Sequence, residues 1–182
     1  MPILQHAVTG LSKINRVELD EIKSFNRPAD TIVNLMTAVC IILRIEPLIR
    51  KDKATGGEAQ KDYWTPAVGR QCLANPSVIQ LLTSVDPLSL DQEAMTNLEE
   101  VLEESELEAE KVRKACKAAE SIYHWVLAVR NYYYVYKNTE PLRNKMILAD
   151  TQLIRLRRDK TGSTDLIDKL KAELQGIRKL HH

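Results

Sequence analysis

The sequence predicts an all-α protein, a small bundle of about six helices at the tip of an antiparallel two-stranded coiled coil. Three observations predict it. Apolar residues recur at coiled-coil spacing at both ends of the chain, with a less regular, helix-patterned middle. Only six glycines occur in 182 residues, too few for a turn-rich β fold. Prolines divide the middle into short amphipathic pieces, which suits a compact helical unit between two longer arms.

Taken in order, Leu4, Ala7, Leu11 and Ile14 form the first seam, at intervals of three and four. The seam breaks at Asn15 to Val17, where Asn15 and Glu18 have the spacing of a capping box that restarts the helix. Leu19, Ile22 and Phe25 give this helix its apolar side, and Pro28 stops or kinks it. From Asp30 to Arg44 the chain is apolar nearly all round and should be a mostly buried helix, capped by Asp30 or Thr31. Residues 46–62, with Gly56-Gly57 and many charges, read as a surface loop. Tyr63 and Trp64 anchor the chain before a short helix at 65–75, Pro76 opens another, and Asp86-Pro87 ends it.

Asp91 to Glu110 carries nine acids and no base, over an apolar stripe of Ala94, Leu98, Val101 and Leu102. It should form one acidic amphipathic helix running into a second. The aromatic helix follows at 125–136, with Trp125, Val129, Tyr132 and Tyr136 expected on its core face beside Ala128 and Val135. Pro141 is expected in the first turn of the last element. Beyond it Met146, Leu153, Lys160, Ile167 and Leu174 fall seven apart, as do Leu142, Ala149, Leu156, Ser163, Leu170 and Ile177. The chain therefore divides into an outgoing arm (1–27), a globular tip (28–139) and a returning arm (140–182). His181 and His182 read as a cloning remnant.

Composition narrows the function. A net charge of +1 gives no global basic excess toward nucleic acid, and no apolar run reaches membrane-spanning length. The first residues lack a secretory signal pattern. Cys40, Cys72 and Cys116 are widely spaced and form no metal-ligand pattern, so they read as reduced core thiols of a cytosolic compartment. Gly56-Gly57 belongs to no phosphate-binding loop, and no nucleophile has a histidine in a suggestive context. His124 beside Trp125 has no second ligand at metal spacing. Neither catalysis, cofactor nor metal is expected.

Three separated stretches resemble the stalk tip of a dynein heavy chain: SFNRPADTIVNLMTAVCIIL, YWTPAVGRQCLANPSVIQLL and KACKAAESIYHWVLAVRNYYYVYKNTEPLRNKM. Pro28 and Pro141 frame the tip, Cys40 lies in its first helix, Trp125 in its last, and EPLRN occupies 140–144. The YW-containing loop looks more like axonemal than cytoplasmic members. The resemblance implies a microtubule-binding domain on an antiparallel stalk, whose two strands slide to switch microtubule affinity. It also implies a parent motor whose ATPase lies elsewhere, working in the cytoskeleton of a ciliary or flagellar axoneme.

Carried over residue by residue, the resemblance implies tubulin contacts at Lys137, Arg130, Arg143, Arg27 and Asn34. It implies register switching at Asn15, Val17, Pro28 and Pro141, where seam defects specify pairing weakly, as do the polar Lys160 and Ser163. Two features depart from the family pattern. Val33 stands where many members have a lysine, and Met95, Thr96 and Asn97 stand where cytoplasmic members are basic. Residues 27–139 hold 13 Lys plus Arg against 16 Asp plus Glu, a net of −3. Such a tip is poorly steered to an acidic filament, so binding should be weak or strongly salt-sensitive. Glu99, Glu100, Glu103 and Glu104 could instead face a basic partner, such as a leucine-rich-repeat dynein light chain. The alternative is an all-α adaptor or scaffold that uses this acidic helix alone.

Overall fold

The computed structural model describes residues 2–50 and 59–180 and is helical over most of them. Two compact units divide the chain, Met1–Tyr136 and Lys137–His182, and one helix runs through both.

The first unit begins with α1 (Pro2–Leu11) and α2 (Arg16–Lys23). The break between them has the cause the sequence indicates. The Glu18 amide donates to Asn15 Oδ1 at 2.9 Å, and the Asn15 amide donates to Glu18 Oε2 at 2.9 Å, closing the capping box. Leu19 and Ile22 of α2 are buried. α3 (Asp30–Ile42) follows, its N-cap being Ala29 with no side-chain bond, rather than Asp30 or Thr31. Eight of its thirteen residues are buried, as its all-round apolarity requires.

α3 ends in a Schellman motif on a non-glycine residue. Arg44 takes a left-handed φ of 56°, while the Ile45 amide donates to Cys40 O at 2.8 Å and the Arg44 amide to Ile41 O at 3.1 Å. Arg44 tolerates this conformation because its guanidinium is engaged, bonding Ser89 O and lying 3.6 Å from Asp91 Oδ2. The end of α3 is thereby tied to the residue that caps the acidic helix.

Residues 46–62 differ from the expected loop. β1 (Leu48–Arg50) and β2 (Gln60–Asp62) pair antiparallel, Leu48 opposite Asp62 and Arg50 opposite Gln60. They are the only strands among the described residues. Gly56-Gly57 of the expected loop and the terminal His181 and His182 lie outside the described residues.

α4 (Trp64–Val68) and α5 (Val78–Thr83) are short; Pro76 sits in the turn before α5 instead of opening it. A 3₁₀ turn at Pro87–Ser89 leads to α6 (Gln92–Glu104), capped by the Ala94 amide bonding Asp91 Oδ1 at 2.8 Å. The acidic run ends here: Ser105 is the C-cap and Glu106 takes φ 43°, so α7 (Ala109–Ala115) starts afresh. Cys116 is extended, and α8 (Lys117–Leu180) begins immediately after it.

The core lies where α3, α6, α7 and the start of α8 meet, with Leu35, Met36, Met95, Leu98, Val112 and Trp125 all nearly inaccessible. On α8 the buried row is Trp125, Val129 and Tyr133, at intervals of four. Tyr132 and Tyr136, expected on that face, are half-buried and stack on each other, and Val135 is exposed. Tyr133 takes the core place because it continues the 125–129 row. No buried side-chain nitrogen or oxygen among the described residues lacks a partner. Tyr123, for example, donates to Leu107 O at 2.9 Å.

In the second unit α8 passes through Pro141 without interruption, against the expectation that a helix starts there. Proline removes one amide donor, and strong helix formers such as Leu142, Arg143, Lys145 and Met146 carry the helix across it. Of the heptad residues in this unit, Leu142, Met146, Leu153, Leu156, Ile167 and Leu170 are between 50% and 69% accessible. In the weak middle of the seam the Thr161 and Thr164 hydroxyls donate back to Arg157 O and Lys160 O, so they satisfy themselves within the helix.

Candidate functional site

Two surfaces of the first unit bear on recognition. The first lies between α3 and the hairpin. Asn34 is half-buried on α3 and lines a groove of about 460 Å³ with Val33, Arg50, Lys61, Tyr63 and Trp64. A set of linked polar contacts ties the hairpin side of this groove to the start of α4. Arg50 Nη2 lies 2.6 Å from Asp62 Oδ2 and donates to Thr65 Oγ1 at 3.0 Å. Thr65 in turn donates from its hydroxyl and its amide to the same carboxylate, at 2.7 and 3.1 Å. Burial raises the Asp62 pKa, but the Thr65 bonds and the Arg50 charge outweigh it and hold the carboxyl below its usual range.

Lys61, on the neighbouring strand residue, is exposed at the groove. Lys61 therefore lines the same groove as Val33, where α3 itself offers no cation, and the Arg50 guanidinium there is paired with Asp62. Sequence reasoning missed both, because it treated 46–62 as a loop. The available signal was two short charged segments flanking a Gly-Gly pair, the outline of a hairpin. Arg27, just before Pro28, is exposed.

The second surface is α6 against α8. Glu100, Glu103 and Glu104 are exposed, but Glu99 turns inward. Its Oε1 lies 2.6 Å from Arg130 Nε, with only 18% of the Glu99 side chain accessible. The bond to Glu99 raises the Arg130 pKa above its ordinary value. Burial, then the Glu99 carboxylate, raises that of Tyr134 beside it. The structure thus joins two residues expected to act separately: Arg130 is committed to Glu99 and braces α6 on α8.

The remaining expected residues fall as follows. Asn15 caps α2 and Val17, in its first turn, is 77% exposed. Pro28 lies between α2 and α3, half-buried. In the second unit, Lys137 Nζ lies 4.0 Å from Glu140 Oε2, about half exposed, and Arg143 and Pro141 are exposed. No group of three or more metal-ligating side chains occurs among the described residues, and no described helix is long and apolar enough to cross a membrane.

Comparison with known proteins agrees over nearly the whole chain. A family model for the microtubule-binding stalk of dynein motor matches residues 1–179. Human dynein axonemal heavy chain 1 is 27% identical over 147 residues, which is 80% of this chain and 3% of that protein. Human dynein axonemal heavy chain 3 is 23% identical over 177 residues, 94% of this chain and 4% of that protein. The ciliary dynein beta chain of Tripneustes gratilla is 25% identical over 154 residues, 84% of this chain and 3% of that protein. The chain thus spans a few hundredths of the length of these relatives. A solved structure titled Microtubule Binding Domain of DYNEIN-C shares the fold, with a TM-score of 0.62 and 24% identity over 79% of this chain and 91% of that one.

Proposed function

The chain belongs to the dynein microtubule-binding stalk family, and from that premise we propose that it is the piece of an axonemal dynein heavy chain that grips the microtubule. The domain is non-catalytic; ATPase chemistry belongs to other regions of the heavy chain. The adaptor alternative receives no support from any of the relatives. Axonemal names among the relatives support a ciliary or flagellar cytoskeletal setting.

The observation that carries the contact surface is the groove where Asn34 meets Arg50 and Lys61. Tubulin's acidic outer surface asks for exposed cations, and Lys61 of the hairpin supplies one beside a helix that lacks its own, the Arg50 charge being paired with Asp62. Arg27 adds a charge near the start of α3, and Lys137 and Arg143 add charges on the returning helix. Arg130 contributes indirectly, by holding α6 in place. Residues 1–27 act as the outgoing strand, 28–139 as the tip and 140–182 as the returning strand. Asn15, Val17, Pro28 and Pro141 mark the points where strand sliding is absorbed. The exposed Glu100, Glu103 and Glu104 are the face a basic light chain would meet, a reading that rests on charge alone.

Microtubule co-sedimentation tests this proposal at low and moderate salt, with Arg27→Glu/Lys61→Glu and Lys137→Glu/Arg143→Glu variants beside the parent chain. Because the attraction comes from local cations meeting an acidic surface, binding should fall as salt screens those contacts, and each charge reversal should weaken it further. Failure of the folded chain to pellet with microtubules at low salt would overturn the assignment of the surface.

A further inference from the structure

In the second unit a cluster of cations runs straight into a cluster of hydroxyls. Arg155, Arg157, Arg158 and Lys160 are followed at once by Thr161, Gly162, Ser163 and Thr164. Thr161 and the three arginines are exposed and lie off both heptad rows, so pairing along the seam leaves them accessible. No carboxylate among the described residues forms an ion pair with these arginines. We propose that Thr161 is a phosphorylation site for an arginine-directed protein kinase, which reads Arg158 three residues before it. This goes beyond microtubule binding and does not depend on it.

Sequence and structure select the same residue. No other serine or threonine of the chain has an arginine three residues before it. Carboxylates in a kinase's peptide groove pair with Arg158, and with Arg157 or Arg155 beside it, through charge-assisted bonds. Such a groove takes its substrate as an extended strand. Arg158 and Thr161 then lie about 10 Å apart, against about 5–6 Å on a helix. The helix must therefore unwind here, and its local composition makes that easy. Thr161 to Thr164 are four consecutive weak helix formers. Every side chain from 141 to 174 is exposed, so opening a turn breaks no packed contact. In the transfer, Thr161 Oγ1 attacks the γ-phosphorus of ATP as the bond to ADP breaks, and the hydroxyl proton passes to the kinase's carboxylate base. The bond that Oγ1 donates to Arg157 O at 3.0 Å is given up. A phosphate carrying about 1.5–2 negative charges then stands one turn from Arg157 and Arg158 and offsets much of the local cationic charge.

The test incubates the whole 182-residue chain with ATP and the catalytic subunit of an arginine-directed kinase, and maps phosphate by mass spectrometry. The parent chain should take up a single phosphate, on Thr161, and Thr161→Ala should take up none. Arg158→Gln should slow the transfer by about tenfold or more, because a charge-assisted pair is lost. Lys169→Gln, a charge loss on the same helix outside the stretch, should leave the rate unchanged. Gly162→Ala reads out the unwinding. A Cβ there meets nothing within 4 Å, so the variant is accommodated and the helix is strengthened. Its transfer rate should fall about fivefold. Phosphate on Ser163 or Thr164 in place of Thr161 would overturn the proposal, as would none on the folded chain while a control arginine peptide is phosphorylated. Equal rates for the parent and Arg158→Gln would overturn the recognition, and equal rates for the parent and Gly162→Ala the unwinding.

Discussion

Arg130 Nε lies 2.6 Å from Glu99 Oε1, across the junction of α6 and α8. Both residues are partly buried, and Tyr134 sits beside the pair. A charge-assisted bond here is worth about 1.5–3 kcal/mol, more than an exposed surface pair delivers. Removing either partner leaves the other charge in a site built for two. In a double-mutant cycle of Arg130→Met and Glu99→Gln, followed by urea unfolding, the two should couple by about 1–3 kcal/mol. Additive effects would show that the pair does not brace the helices.

Trp125 tests where the core is anchored. It is 1% exposed, at the centre of the α8 row that Val129 and Tyr133 continue. Trp125→Ala should cost about 3–5 kcal/mol, a large part of a small domain's stability. Tyr132→Ala, one row over, should cost much less. Similar losses would place Tyr132 in the core and refute the face assignment.

How much of this was legible follows from which forces act locally. The capping box at Asn15 and Glu18 closes within four residues, so it can be read directly, and the break between α1 and α2 was. The buried character of α3 was equally plain, because its apolarity leaves no polar face to expose. The hairpin was not legible, because a three-residue strand has too short a pattern to separate from a charged loop. Nor was the burial of Tyr133 in place of Tyr136, because neighbouring rows of an aromatic helix differ by one residue and only the packing of α3 and α6 chooses between them. Pro141 misled for a related reason. Proline is common in a helix's first turn, and here the flanking helix formers outweigh its missing donor. The Arg130–Glu99 pair spans 31 residues and could be found only once α6 and α8 were packed.

The thiols make a chemical prediction. Cys40 and Cys72 are fully buried, and burial, the dominant cause, pushes both pKa values up to about 12. Thiolate is the reacting species, so neither should react with a disulfide reagent at neutral pH in the folded chain. All three cysteines should react promptly in denaturant. Rapid labelling of Cys40 or Cys72 in native protein would mean that the α3 core opens readily.

Glu106 and Arg44 both occupy left-handed backbone, and glycine should affect them differently. Glu106 is exposed, and its contact with Lys111 at 3.7 Å is a surface pair of little value. Glu106→Gly should therefore stabilise the fold by about 0.5–1 kcal/mol through relief of backbone strain. Arg44→Gly relieves the same strain but loses the ties to Ser89 and Asp91. Its gain should be smaller, or become a loss. Equal gains in thermal unfolding would show that the Arg44 ties contribute nothing.

Asp62 carries a pH signature that can be worked out in sign. Its folded pKa is depressed below the ordinary 3.8, despite the opposing effect of burial, because Thr65 and Arg50 favour the carboxylate. A depressed folded pKa means that the unfolded chain binds the proton more readily than the native one. The resulting stabilisation is present above the unfolded value, and it is lost as pH falls from there through the folded value. Between about pH 5 and pH 2, the parent chain should lose stability more steeply than Asp62→Asn, which has no carboxylate to protonate. At neutral pH the variant should be the less stable of the two, because it has lost the ion pair with Arg50. If the two stability profiles run parallel through the acid range, Asp62 does not organise the hairpin side of the groove.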